Sequence, residues 1–584
     1  MSYIVISGAD SGIGTLRDAL EQAVLSPIDY NITFDPTVTV VSLQSSLSVN
    51  NGSIATININ GNGSSVLNII RASVDQFRIF SISNSLINIT GLTISGGTGG
   101  IGAQAFAGGL YISNSTMTFN DVIITNNTAS IIGGGLFIDA LSDITMINVE
   151  VSNNRCIPNA SSNGGGIYIN NSTVTINNSS IHDNSATGNS GGISNNISTL
   201  TINNSSIYNN SVINNTTSNN GGGIYVLGTT NTTISNSTLY NNTAYVGAGI
   251  YLTGTPTMNI VNSTISGNTA ITNAGAMRIV GVLSLINSTI SANDSGATAA
   301  IVINSGTTSL GNTIIAQNIN SGSTVPDIIG DFTSLGTNLF GIYNASVASG
   351  IIASDLSGTM ASPLDAMLQP LADNGGPTLT MALPIDSPAV NAGNNAIIPP
   401  GIIYDQRGFP FARISGLSVD IGAFEYVFAA ICYSGDSLVL TKNICTAEIT
   451  EIPVCQVYSD THLVYNVIDN CYVPVKLNIV TGKVDRMILI PKNALEENKP
   501  SEDFIVTSGH YLLINGSKVK ARNIAGRKRI KVSSQDVYSI CTDTECAIKV
   551  NNLDVMTWGY DSWITKSKER GINWYNNNSF INKN

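Results

Sequence analysis

Along the first three quarters of the chain, apolar residues recur in short alternating runs such as STVTI (172–176) and STLTI (198–202), rich in β-branched side chains at a period of two. Asn, Ser and Gly separate the runs, so the pattern predicts short strands joined by tight turns, with nothing in a repeat reading as a helix. Two marks punctuate residues 100–320. One is a glycine box closing on an apolar residue, at Leu110, Leu136, Ile167, Ile193, Ile224 and Ile250, with weaker forms at Met277 and Ile301. The other is an apolar residue three positions before an asparagine: Ile124/Asn127, Val151/Asn154, Ile181/Asn184, Ile207/Asn210, Leu239/Asn242, Ile265/Asn268, Ile290/Asn293 and Ile315/Asn318. Each series spans 191 residues in seven steps. Two independent marks therefore share one period.

A repeat of this length built from strands and turns predicts a right-handed parallel β-helix, one coil per repeat. Inward Ile and Leu stack from coil to coil, and the asparagines form a ladder whose amides satisfy turn backbone that would otherwise be buried unpaired. Glycine in the box permits a conformation or a close approach that a Cβ would block. The two longest steps of the glycine-box series put their additions at 156–163 and 212–219, after the asparagine and before the box, so both insertions leave through one turn. A leucine-rich horseshoe also carries an Asn ladder, but it wants Leu at most consensus positions and a longer convex segment. Near the start, Thr15 or Ser11 caps an amphipathic helix with Leu16, Ala19, Leu20 and Val24 on one face, suited to cover the solenoid's open end.

Composition divides the chain at Cys432. Residues 1–431 hold 7 Arg, no Lys and 21 Asp plus Glu; residues 432–584 hold 18 Lys plus Arg against 16 Asp plus Glu, and six of the seven cysteines. The acidic first part disfavours nucleic acid as a partner. Met1 leads into SYIVISGADSG without a charged or apolar signal region, and no apolar run is long enough to span a bilayer, so neither a secretory signal nor a membrane span is expected.

The paired GGGI and IxxN marks resemble the GGA(I/L/V) and FxxN repeats of chlamydial polymorphic outer-membrane proteins, with Phe replaced by Ile, Leu or Val. SGIGTLRDALEQAV (11–24) with ITFDP (32–36) resembles the opening of bacterial surface β-helices. LQPLADNGGPTLTMALPIDSPAVNAGN (368–394), YDQRGFP (404–410) and VDIGAFEY (419–426) resemble the choice-of-anchor Q segment that ends such β-helices before an anchor. In the anchor's place, CYSGDSLVL (432–440), IVTSGHYLLING (505–516), VYSI (537–540) and IKVNNLDVMTWG (548–559) resemble a Hint domain, the autoprocessing module of hedgehog proteins and inteins. The expected organisation is an all-β chain: N-terminal cap 1–35, parallel β-helix 36–360, end segment 361–431, a small all-β Hint domain 432–560, and a tail 561–584.

The Hint resemblance implies chemistry. Cys432 attacks the carbonyl of Ile431 and converts the amide to a thioester; His510 protonates the departing nitrogen and Thr507 orients it. Splicing is not expected, because no terminal Asn with a following nucleophile is present, and TDTECAIKV stands where the closing block often carries His. Hydrolysis or transfer of the thioester is the expected second step. No cofactor or metal is implied. Combination of Hint with surface-type modules and an Asn/Ile-rich composition resembles proteins of giant DNA viruses, which implies a virion or cell-surface location and a surface glycan or protein receptor as partner.

Other readings compete. Cys432 is alternatively one of a set of disulfide cysteines, which leaves an adhesive protein with an inert C-terminal domain. A carbohydrate-active β-helix needs clustered carboxylates; Asp121, Asp139, Asp143, Glu150 and Asp183 come nearest to a group. His182 reads as an outward surface residue. Arg407, Asp420 and Glu425 read as an ion-pair staple of the end segment. The Asn-x-Ser/Thr triplets read as glycosylation acceptors where the chain meets that machinery, or as a product of composition.

Overall fold

A computed structural model describes residues 1–100, 105–157, 162–213, 219–320, 323–384, 386–415, 418–426, 433–507, 510–515, 517–524, 526–544, 546–559 and 575–576. The chain divides into two compact units, Met1–Ile414 with Ser418–Tyr426, and a second made of Val427–Asn584 with 415–417.

The first unit is a parallel β-solenoid. In the coil that opens at Leu110, strand Leu110–Ser113 turns at Asn114 into Thr116–Thr125, which bends at Asp121; a turn at Asn126 then leads to Thr128–Ala129. All three turn residues have φ between 47° and 56°, a left-handed conformation that Asn and Asp tolerate better than other side chains. Strands pair in parallel with those one coil away. The glycine-box residues stack in register, Leu110 on Leu136, Leu136 on Ile167, Ile167 on Ile193 and so on to Ile301 and Ile328. The residues preceding the asparagines do the same from Ile94 to Ile315. One apolar column, buried from Val5 to Ala348, results.

The asparagine ladder closes the turn behind that column. Asn210 is typical: its Nδ2 donates to Ile181 O (2.9 Å) and to Asn242 Oδ1 (3.0 Å), while its Oδ1 accepts from the backbone N (3.2 Å) and Nδ2 (3.0 Å) of Asn184. The rungs run from Asn127 to Asn318 and end on the buried carboxylate of Asp327, whose Oδ1 accepts from Asn318 Nδ2 (2.9 Å) and Oδ2 from Ile342 N (2.6 Å). The two marks share a period because they touch. A Cβ added at Gly135 would lie 2.8 Å from Gly166 O and 3.0 Å from the Asn154 side chain.

Serine makes further ladders. Backbone N–H groups of Ser179, Ser205, Ser237 and Ser263 donate to Oγ of Ser205, Ser237, Ser263 and Ser288. Each serine follows a left-handed Asn, as Asn178–Ser179 and Asn204–Ser205 do. Triplets such as Asn178-Ser179-Ser180 and Asn262-Ser263-Thr264 are thus turn, ladder rung and first residue of the next strand. These roles give the triplets' regular spacing a structural reason.

Thr15 caps helix Leu16–Val24, which buries Leu16, Ala19, Leu20 and Ala23, with Val24 half-buried beside the core. Solenoid pairing already begins inside the expected cap, where Ser2–Val5 pairs with Tyr30–Phe34. Parts of the two insertions, 158–161 and 214–218, lie outside the described residues. The end segment folds back along the outside of the coils and packs Ala366, Met381, Leu383 and Ile421 on Ile314 and Leu339.

The second unit is a separate all-β body with its own core, including Val439, Val464, Ile488, Phe504, Val506, Ile540 and Val555. Long strands Leu477–Ile490 and Lys528–Thr542 pair antiparallel and anchor one sheet, and Leu438–Asn443, His462–Asn466, Ala547–Val550 and Leu553–Met556 build the other.

Candidate functional site

Ile431 and Cys432 lie outside the described residues; their neighbours are placed. Strand Tyr433–Ser434 is wedged between two others, with Tyr433 opposite both Val506 and Tyr538. The residue after Cys432 therefore sits across from the residue before Thr507. Strand Phe504–Val506 ends in a turn in which the backbone N of His510 donates to Thr507 O (3.1 Å), and Tyr511–Ile514 follows. Thr507 and His510 are thereby brought together, and both are buried. His510 Nε2 lies 3.1 Å from Met556 O, because Leu512 pairs with Val555 in the adjoining strand. A carbonyl only accepts, so Nε2 is the donor in this contact.

Beyond Met556 lies a buried hydroxyl–thiol group. Thr557 Oγ1 is 2.9 Å from Thr542 Oγ1 and 3.5 Å from Cys546 Sγ, and it accepts from Cys546 N (3.0 Å). Sequence reasoning singled out Cys546 only as standing where a closing-block His is often found. Cys156, Cys445, Cys471 and Cys546 are free thiols. Burial between Ala129 and Ala186 pushes the Cys156 thiol up to about 12, so it stays protonated and packs as a small apolar residue.

The five acids do not form one cluster, although Glu150 (3.5 Å) and Asp183 (2.7 Å) flank the two ring nitrogens of His182. Asp121 and Glu150 line one outer groove, with Asp121 receiving the Ser64 hydroxyl (2.8 Å). Asp183 bonds His182 Nδ1 (2.7 Å), whereas Asp139 accepts from Asn170 and Asp143 begins its strand. His182 is outward, but it is stacked on Tyr208 (centroids 4.6 Å, planes 8° apart), which stacks on Tyr240 (4.7 Å). Side chains alternating across a strand in register one coil apart produce such a row. Its signal in the sequence was the aromatic residue two before Asn184, Asn210 and Asn242.

The expected staple has different partners. Arg407 pairs with Asp405 (2.5 Å) and lies between the Phe411 and Phe424 rings, 3.8 Å from each centroid. Glu425 pairs with Arg413 (3.1 Å). Asp420 instead accepts the N–H groups of Asn391 and Tyr426, with burial raising its carboxyl to about 6. The reason is local: the turn at Gly408 returns Arg407 onto Asp405, two residues before it, and Phe411 closes over the guanidinium.

Among known families, the model for a right-handed beta helix region matches residues 108–278. The solenoid is a right-handed parallel β-helix. Among solved structures, the crystal structure of pectate lyase Pel9A is similar at 16% identity and a TM-score of 0.40, over 73% of this chain and 96% of that one. No curated protein matches. Among the described residues, no helix is long and apolar enough to cross a membrane.

Proposed function

We propose that the β-helix is a rigid display or attachment module on a virion or cell surface, and that the C-terminal unit is a Hint domain that cuts the chain at Ile431–Cys432. The pairing of Tyr433 with Val506 carries this reading, since it supports an approach of the Cys432 peptide to the Thr507–His510 turn. The Cys432 sulfur adds to the Ile431 carbonyl, and the C–N bond breaks as the His510 imidazole protonates the departing nitrogen and the thiol proton returns to the ring. Water then cleaves the thioester, leaving a carboxylate on Ile431 and a free thiol on Cys432, or another nucleophile takes the β-helix. Thr507, buried beside the same turn, orients the amine.

The test is electrophoresis of purified protein with and without dithiothreitol. Fragments of 431 and 153 residues are expected, absent in Cys432→Ala and slowed in His510→Ala. Intact wild-type protein under every condition would leave the C-terminal unit as an inert all-β domain.

A further inference from the structure

The outer face of the β-helix carries a column in register: Glu150, Ser180, Ser206, Thr238, Thr264 and Thr289. Its later members hold the end segment. Thr238 Oγ1 donates to Leu379 O (2.6 Å), Thr264 Oγ1 to Gln406 Oε1 (2.6 Å), and Thr289 Oγ1 accepts from Ala423 N (3.0 Å). The neighbouring column of left-handed asparagines does likewise, with Asn262 Nδ2 donating to Tyr404 O (2.9 Å) and Asn236 O accepting from Thr378 Oγ1 (3.1 Å). At Pro377 the cover stops. A groove of about 390 Å³ begins there and runs to Ser64, floored by Asn178, Asn204, Ser180 and Ser206, the equivalents of residues that bind polypeptide farther along.

We propose that this groove binds an extended, basic peptide segment of a partner protein. The floor repeats a surface that already holds a chain by its main-chain groups and by the Gln406 amide and Thr378 hydroxyl. Four successive coils line it, and their three inter-strand spacings of about 4.8 Å accommodate roughly four to five extended residues. Charge selects the side chains. Glu150 takes the place of a hydroxyl in the column, Asp121 stands at the far wall, and no Lys or Arg lines the groove among the described residues. Glu150 accepts from Ser152 Oγ (2.7 Å) and lies 3.5 Å from His182 Nε2 yet is partly exposed, so a Lys or Arg reaching it adds a charge-assisted hydrogen bond. A field from 21 acids against 7 Arg in residues 1–431 draws such a segment in. This deepens the attachment reading by naming a protein partner, and it is independent of cleavage.

Fluorescence polarisation of labelled hexapeptides on the full-length protein at low salt tests it. The alternating Thr-Lys hexamer is expected to bind at least about tenfold tighter than the Thr-Glu hexamer. Ser206→Trp, which fills the floor, weakens it about tenfold, and Glu150→Gln weakens it severalfold. Asp143→Asn removes the same charge at the far end of strand Asp143–Ser152 and leaves binding unchanged. Equal losses in Glu150→Gln and Asp143→Asn, an unaffected Ser206→Trp, or binding of the neutral sugar cellotetraose in place of the peptide would each overturn the proposal. Adherence to cells that Ser206→Trp does not alter removes the groove and leaves attachment standing; peptide binding without adherence does the reverse.

Discussion

In the solenoid each strand pairs with its equivalent one coil away, whereas in the C-terminal unit Tyr433 pairs with Val506 and Tyr538, and Leu477 with Cys541. The first kind of contact recurs at one spacing, so the same few residue types suffice in every coil. The second kind is different at each position. The lesson is that the β-helix stores its stability in columns that are interrupted by a single change, while the C-terminal unit distributes its own over one core with no repeating bond.

The largest test of that contrast is Asn210→Ala. It deletes four buried hydrogen bonds at once, and leaves Ile181 O and the Asn184 amide without their partner. With each buried unsatisfied group costing about 1–3 kcal/mol, a loss of about 4 kcal/mol is expected. Calorimetry of the full chain should move the β-helix transition alone; a common shift of both units would mean that they do not unfold separately.

Asp327 sharpens the comparison through pH. Burial raises its carboxyl from 3.8 to about 7. The folded state thus holds a proton that the unfolded chain releases, so the contribution is greatest below pH 3.8 and is lost as pH rises toward 7, by roughly 4 kcal/mol at most. Asp420, raised to about 6, adds a slope of the same sign between about pH 4 and 6. Asp327→Asn should flatten the first slope. Its stability relative to the parent should rise from pH 4 to pH 8, because only the parent loses the proton-linked contribution over that range. Urea unfolding across that range checks this, and an unchanged slope would assign the pH dependence elsewhere.

Legibility in the sequence followed the same division. Glycine box and IxxN gave the coil period and the residues that stack, since a parallel solenoid turns equal spacing into direct contact. The left-handed residue before each ladder asparagine was not recognised, because Asn126, Asp183, Gly267, Ala292 and Gln317 all fill that position and share backbone geometry rather than a side chain. Serine rungs were hidden by Asn-x-Ser/Thr triplets that carry a second meaning. The groove could not be read at all, for it needs Ser64, Glu150 and Pro377 together. In the C-terminal unit only local segments such as IVTSGHYLLING were visible; the pairing of Tyr433 with Val506 spans 73 positions.

The serine columns supply the finest test, because they repeat at the same coil spacing with fewer bonds per rung. Ser205 Oγ accepts from Ser179 N (3.0 Å) and donates to Asn203 O (2.7 Å), two bonds against the four of Asn210. Ser205→Ala also removes little volume, so collapse around the site adds almost nothing. A loss of about 1–2 kcal/mol is expected, at most half that of Asn210→Ala. If stability in the β-helix tracks the number of ladder bonds broken, the two substitutions should also be additive when made in coils several turns apart, and less than additive when made in one coil, where the first already frees the turn that the second would open. Denaturant midpoints of the two single and two double variants decide this. Equal losses from serine and asparagine would show that the cost lies in disturbing any coil, not in the bonds it carries.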